Sequence, residues 1–307
     1  MTRILVTGAS GLLGLNFCLS EHPREDITGV VNAHPLKNPP FRQLTADLTN
    51  FSEVARLLDE EKPELVLHCA ALANLDHCEQ QPELAKRLNT DLPAELARLT
   101  RQRGIQLVHI STDAVFDGSK APYQERDIPS ASGVYAETKR NGELMVLTLN
   151  PAALVARVNF FGWSLTGTRS LAEFFFNNLG AGKSVMGFTD VIFCPLYVRD
   201  LGDVLLDAAR KHLCGLYHVT GSSCLTKYEF GRKVGEVFGL DASLVRATSW
   251  REAGLKAARS PDLRLNIDKL GGALGRNIPD AAGGLARMKQ DLDNGYRSRL
   301  QSMRADG

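Results

Sequence analysis

A chain of 307 residues, 44% hydrophobic and 23% charged, is long enough to bury a sizeable core and has the balance of a soluble globular protein. Its formal net charge of +1 offers no basic field for nucleic acid and no acidic tail for a partner. No apolar run approaches the ~20 residues of a membrane span, and Arg3-Ile4-Leu5-Val6-Thr7 already reads as a strand, so no signal peptide is expected; the chain is expected in the cytoplasm, with neither nucleic acid nor membrane as partner.

In chain order, strand-like apolar runs at residues 4–7, 27–31, 65–69, 107–110 and 153–158 alternate with helix-like segments at 12–20, 52–61, 82–103 and 135–149. That alternation predicts an α/β fold, a doubly wound parallel sheet of the Rossmann type, and nearly all-apolar strands suit a sheet covered on both faces. Asn50 or Ser52 is the expected cap of the second helix. Pro82 and Pro93 divide the third segment into one kinked helix or two. Beyond residue 160, residues 162–170 read as a loop and 171–179, 201–209 and 227–238 as helices, with a strand at 215–219. The cluster Phe174-Phe175-Phe176 is expected to serve the core or a homodimer contact, and the polar stretch 296–307 to be mobile. We expect a dinucleotide-binding domain over residues 1–160 and a smaller α/β substrate domain over most of 161–307, with 190–220 returning to the first.

Six cysteines (Cys18, Cys69, Cys78, Cys194, Cys214 and Cys224) show no paired spacing, which predicts reduced structural thiols. Asp76-His77-Cys78-Glu79 contains ligand types, but four consecutive residues of a regular helix or strand cannot converge on one ion, so no metal is expected.

Gly8, Gly11 and Gly14 follow a strand and open a helix, with Ser10, Leu12 and Leu13 between and beside them. The first glycine permits a tight turn and the second a close approach of pyrophosphate. The third lets helix pack on strand, and the helix N-terminus supplies donors and a positive dipole end. After the second strand, Asn32 and His34 stand without the acid that would accept from a ribose 2′-hydroxyl, with Lys37 nearby. This favours NADPH and leaves NADH open; the alternative reading is that His34 and Lys37 are merely solvated loop residues. Asp47 and Leu48 are placed to meet the adenine edge, and the small-residue turn Cys69-Ala70-Ala71 to let backbone approach the cofactor.

Tyr135 and Lys139 stand at i and i+4, hence on one helix face. A phenol is a poor proton donor near neutral pH, and a neighbouring ammonium stabilises its anion. Lys139 can also hold the nicotinamide ribose. Thr112, in the turn Ser111-Thr112-Asp113 at a strand's carboxyl end, can hydrogen-bond a substrate carbonyl and share developing alkoxide charge.

These pieces together resemble the extended short-chain dehydrogenases/reductases, specifically the dTDP-4-dehydrorhamnose reductase group. The resemblance runs through Thr7-Gly8-Ala9-Ser10-Gly11-Leu12-Leu13-Gly14, Leu88-Asn89, Ser111-Thr112-Asp113-Ala114-Val115-Phe116-Asp117-Gly118, Tyr135-Ala136-Glu137-Thr138-Lys139 and the region 259–270. It implies Thr112, Tyr135 and Lys139 as the catalytic set, Asn89 beside the cofactor, and Asp113, Ala114 and Arg259 beside the substrate. The implied reaction is NAD(P)H-dependent reduction of a 4-keto-6-deoxy sugar on a nucleotide carrier. Ala114 follows Asp113 where dehydratase relatives carry a second acid, which argues against water elimination.

The chain departs from that group at Ala114, at Ala136, and in Asp190-Val191-Ile192-Phe193-Cys194-Pro195-Leu196, an apolar run where the group has a polar substrate segment. Arg259 and Arg264 are candidates for a substrate diphosphate or for surface ion pairs. Two other functions stay open: a non-catalytic dinucleotide-binding subunit, similar to the regulatory β subunit of methionine adenosyltransferase, and a sugar-nucleotide epimerase.

Overall fold

The structure, a computed structural model, describes residues 1–252 and 260–305. Its strands are β1 (Arg3–Thr7), β2 (Asp26–Val31), β3 (Arg42–Thr45), β4 (Leu65–His68), β5 (Gln106–Thr112) and β6 (Leu154–Val158), then β7 (Phe160–Phe161), β8 (Val185–Phe188), β9 (Ile192–Phe193), β10 (Leu196–Tyr197), β11 (Gly215–Val219), β12 (Leu225–Thr226) and β13 (Val245–Thr248). Its helices are α1 (Leu12–Glu21), α2 (Phe51–Glu61), α3 (Leu75–Gln80), α4 (Pro82–Lys86), α5 (Leu92–Arg103) and α6 (Val134–Leu149), then α7 (Leu171–Gly180), α8 (Val198–Arg210), α9 (Lys227–Phe238), α10 (Asp268–Leu274), α11 (Ala281–Asp293) and α12 (Tyr296–Gln301).

Seven strands make one parallel sheet in the order β11-β6-β5-β4-β1-β2-β3. The strand order reverses between β1 and β4, and doubly wound sheets bind ligands outside the carboxyl ends at that reversal. Alternation along the strands splits the core in two. Leu5, Val66, Leu107 and Val155 pack with Leu57, Leu96 and Val146 of α2, α5 and α6. Ile4, Leu65, Val108 and Leu154 point the other way, into the cluster holding Phe17 of α1 and Leu201 and Val204 of α8. Both faces are therefore covered, which suits the wholly apolar interiors of β1 (Ile4, Leu5, Val6) and β4 (Leu65, Val66, Leu67).

Asn50 is the cap of α2: its side chain accepts from the Ser52 N–H at 3.2 Å. The segment with two prolines runs helical throughout, α4 and α5 joined by a π-helical turn, Arg87–Asp91. Residues 198–219 supply α8 and β11, and β11 pairs with β6 at the sheet edge. Outside the sheet, three two-stranded pairs (β7 with β10, β8 with β13, β9 with β12) combine with α7, α9 and α11.

Two expectations are corrected here. Residues 296–303 are not a loose tail: α12 buries Tyr296 and Leu300, and the Tyr296 hydroxyl donates to Asn16 Oδ1 at 2.9 Å. The apolar residues of this segment are three to four apart, so only a formed helix gathers them on one side. Nor are all six cysteines thiols, because Cys194 and Cys224 are joined in a disulfide. Antiparallel pairing sets Leu225 opposite Phe193 and Thr226 opposite Ile192, and the next step of that register brings Cys224 opposite Cys194. A separation of 30 residues carries no spacing signal in the sequence. Of the phenylalanine cluster, Phe175 is buried and Phe174 is exposed.

Candidate active site

The glycine turn is built backbone on backbone. Gly8 has φ +69°, and a β-carbon there would lie 2.8 Å from the Ala70 nitrogen. The Ala70 N–H donates to Thr7 Oγ1 at 3.2 Å, so the turn at 69–71 after β4 is held against the end of β1. A β-carbon on Gly11 would meet only the Gly8 carbonyl oxygen, at 3.1 Å, so one side of the loop is clear. Gly11 caps α1 without a side-chain hydrogen bond, and the first turn holds no acid. The free N–H groups and positive end of α1 thus face an open cradle, and its residues fit a dinucleotide diphosphate. Ser10, Gly11 and Leu12 are half-buried around it, whereas Leu13 and Gly14 are buried beneath.

The other expected cofactor residues divide. Asn32 and His34 are exposed at the carboxyl end of β2, where they can meet a ribose or its phosphate. Asp47 is exposed and its Oδ1 accepts from the N–H and hydroxyl of Thr49, at 3.0 and 2.8 Å, while Leu48 is buried in the core. Cys69 is half-buried, and burial pushes its thiol up to about 12, so it is no nucleophile at neutral pH. Asn89 is buried and committed to the fold. Its Oδ1 accepts from the Leu72 N–H at 2.9 Å, and its Nδ2 donates to the Leu72 carbonyl at 3.0 Å and to Thr138 Oγ1 at 3.2 Å. It braces the loop after β4 against α6.

Tyr135 and Lys139 ride on the first two turns of α6, and Thr112 ends β5. Burial raises the Tyr135 phenol to about 12; the Thr112 hydroxyl opposes that rise and the Asp113 charge adds to it. The lowering expected from Lys139 is absent, because the ammonium turns to the strand and donates to the Ile110 carbonyl at 2.6 Å. Burial brings Lys139 down to about 8, with Glu143 opposing. Thr112 Oγ1 accepts from the Ala114 N–H at 3.1 Å and donates to Asp113 Oδ1 at 3.2 Å. Asp113 is buried, and that pushes its carboxyl up to about 6 against a 2.5 Å hydrogen bond from Asn159 Nδ2, the Thr112 hydroxyl and the Lys227 charge. Among the described residues, no group of three or more His, Cys, Asp or Glu is arranged to hold a metal ion.

The segment that departs from the family pattern is apolar in the structure as well. Val191, Phe193, Cys194 and Leu196 are buried, so this segment turns into the core instead of offering polar groups to a ligand. Residues 260–266 thread past it: the Ile192 N–H donates to the Pro261 carbonyl at 2.8 Å and the Leu263 N–H to the Ile192 carbonyl at 2.9 Å. Arg264 lies there, its guanidinium on Asp262 at 2.6 Å. Arg259 lies outside the described residues. Three participants went unread in the sequence: Asn159, Glu143 and Arg157. Glu143 had a signal, since Tyr135, Lys139 and Glu143 repeat every fourth residue.

The chain is similar to a probable low-salt glycan biosynthesis reductase, Agl14, of Haloferax volcanii, with 34% identity over 92% of this chain and 96% of that protein. It is also similar to methionine adenosyltransferase 2 subunit beta of Pongo abelii, with 32% identity over 87% of this chain and 81% of that one. Among solved structures, dTDP-4-dehydrorhamnose reductase from Bacillus anthracis in complex with NADP superposes with a TM-score of 0.81 at 25% identity, covering 94% of this chain and 99% of that one. Residues 1–294 match the family described as the RmlD substrate binding domain, and the chain belongs to that family.

Proposed function

We propose that this protein is an NADPH-dependent reductase of a nucleotide-linked 4-keto-6-deoxy sugar, with NADH as the alternative donor and Tyr135 as the proton donor. One observation carries the reading: the Tyr135 phenol hydrogen-bonds Thr112 at the carboxyl end of β5, with Lys139 one turn along the same helix, and the glycine turn after β1 keeps an open side that fits a diphosphate. In this reading Gly8, Gly11 and the first N–H groups of α1 hold the diphosphate, with Asn32 and His34 at the adenosine ribose. A nicotinamide held there would supply the hydride for the carbonyl carbon. Tyr135 gives its proton to the carbonyl oxygen, so hydride and proton together complete the alcohol. Its high affinity for that proton keeps it the acid across the neutral range. Thr112 shares the charge that develops on the oxygen. Lys139, freed from the Ile110 carbonyl, orients the nicotinamide ribose.

A second reading, a dinucleotide-binding subunit without catalysis, draws support from the likeness to methionine adenosyltransferase 2 subunit beta and from the buried 191–196 segment. The separating experiment follows NADPH and NADH oxidation with dTDP-4-dehydro-6-deoxy-L-mannose generated in situ, beside Tyr135→Phe. Turnover that collapses in the variant supports the reductase. Dinucleotide binding with no turnover on this or related keto-sugars moves the conclusion to the subunit.

A further inference from the structure

The helix that carries Tyr135 and Lys139 has a third polar residue on the same face. Glu143 stands one further turn along α6, and its carboxylate is buried at 4% exposure. Both oxygens are engaged. Ser111 Oγ donates to Oε1 at 2.5 Å, Arg157 Nε donates to Oε1 at 2.9 Å, and the second terminal nitrogen of Arg157 donates to Oε2 at 2.7 Å. Ser111 directly precedes Thr112 on β5, and Arg157 faces Ser111 in register on β6. One carboxylate therefore ties the helix of the proton donor to the strand of the carbonyl-binding hydroxyl.

The far side of Arg157 is closed as well. Its guanidinium lies over the Phe116 ring at 4.9 Å, and a terminal nitrogen reaches His218 Nε2 at 3.4 Å. His218 Nδ1 lies 3.1 Å from the Asn266 carbonyl, which makes Nδ1 the donor and Nε2 the acceptor toward Arg157. Burial and the Arg157 charge hold His218 neutral. A buried ion pair is a poor source of net stability, because desolvation offsets much of the attraction. What so enclosed a pair does provide is one fixed geometry.

Glu143 also bears on Lys139. The titratable groups around that ammonium are His68 at the end of β4, Cys69 just after it, His109 on β5, and Glu143 on its own helix. Burial holds both histidines uncharged and the Cys69 thiol protonated. Glu143 supplies the negative charge near Lys139.

We propose that Glu143 is a positioning residue: through Ser111 and Arg157 it sets the Tyr135–Lys139 helix face against Thr112, and its charge keeps Lys139 an ammonium for the dinucleotide. This rests on the roles given above to Tyr135 and Lys139. The test titrates NADPH binding by nicotinamide fluorescence between pH 6.5 and 10, for wild type, Glu143→Gln and Ser111→Ala, with keto-sugar turnover measured in parallel. Wild-type affinity is expected to fall as pH rises through about 8. In Glu143→Gln that midpoint moves about one unit acidward. Ser111→Ala removes one hydrogen bond and no charge, so its midpoint stays in place while kcat drops about tenfold at unchanged KM. A Glu143→Gln midpoint equal to wild type overturns the proposal alone. If that variant does not fold, an unaltered kcat in Ser111→Ala overturns it. Wild-type protein that binds no NADPH overturns both this and the reading beneath it.

Discussion

A β-carbon on Gly14 would lie 2.4 Å from the carbonyl oxygen of Gly8, nearer than side chains are tolerated. The obstacle is backbone, which cannot swing aside as a side-chain tip can. Gly14→Ala is therefore expected to lever α1 from the end of β1. The cost should be about 1–3 kcal/mol of stability, with NADPH affinity weakened about tenfold or more. Urea unfolding and a fluorescence titration check both; a variant as stable and as tightly binding as wild type would sink this account of the loop.

Lys139 gives a pH signature in the absence of ligand. Burial holds it at about 8, below its ordinary 10.5, so between those values the unfolded chain binds the extra proton. Stability from this group thus rises with pH across that window, and the penalty is full below about 8. Lys139→Met is expected to be more stable than wild type at pH 7, by on the order of 1–3 kcal/mol, and to lose that advantage near pH 10. Urea midpoints at the two pH values decide it, and an advantage independent of pH would contradict the assignment.

Asp113 runs in the opposite sense. Its folded value of about 6 exceeds the ordinary 3.8, so the folded state holds the proton more tightly. Its contribution is complete below about 4 and is lost as pH rises through about 6. Asp113→Asn can still accept from Asn159, and should match wild type near pH 4 yet exceed its stability at pH 7 by on the order of 1–3 kcal/mol. Equal melting temperatures at pH 7 would show the carboxylate is not penalised.

The Cys194–Cys224 bridge closes a loop over 30 residues of sequence separation and staples β9 to β12. Closing a loop of that length restricts the unfolded chain by about 3–4 kcal/mol. Treatment with a dithiol, or Cys224→Ser, is expected to lower the urea midpoint accordingly. Thiol labelling of the denatured protein without reductant should find four reactive cysteines out of six; six would remove the bridge.

The legible features were those with a local cause. The glycine turn of residues 8–14 follows from sterics within a few residues, and the five strand-like runs of the first half follow from burial on both faces. The Asn50 cap and the shared face of Tyr135 and Lys139 follow from the geometry of one helix. Asn89 shows the limit: the family motif marks it, but only the packed structure shows its amide spent on Leu72 and Thr138. The 190–196 segment was readable as apolar, and only folding shows that its side chains enter the core.

By itself, then, the sequence determined the parallel α/β sheet, the glycine turn and the shared helix face of Tyr135 and Lys139, because each depends on neighbours within one strand–helix unit. The tertiary structure alone decided which cysteines meet, how Glu143 reaches Ser111 and Arg157, and that Lys139 rests on the Ile110 carbonyl. Those contacts join residues 14 to 32 positions apart. They arise from strand register and from the burial of polar groups that must find partners away from water.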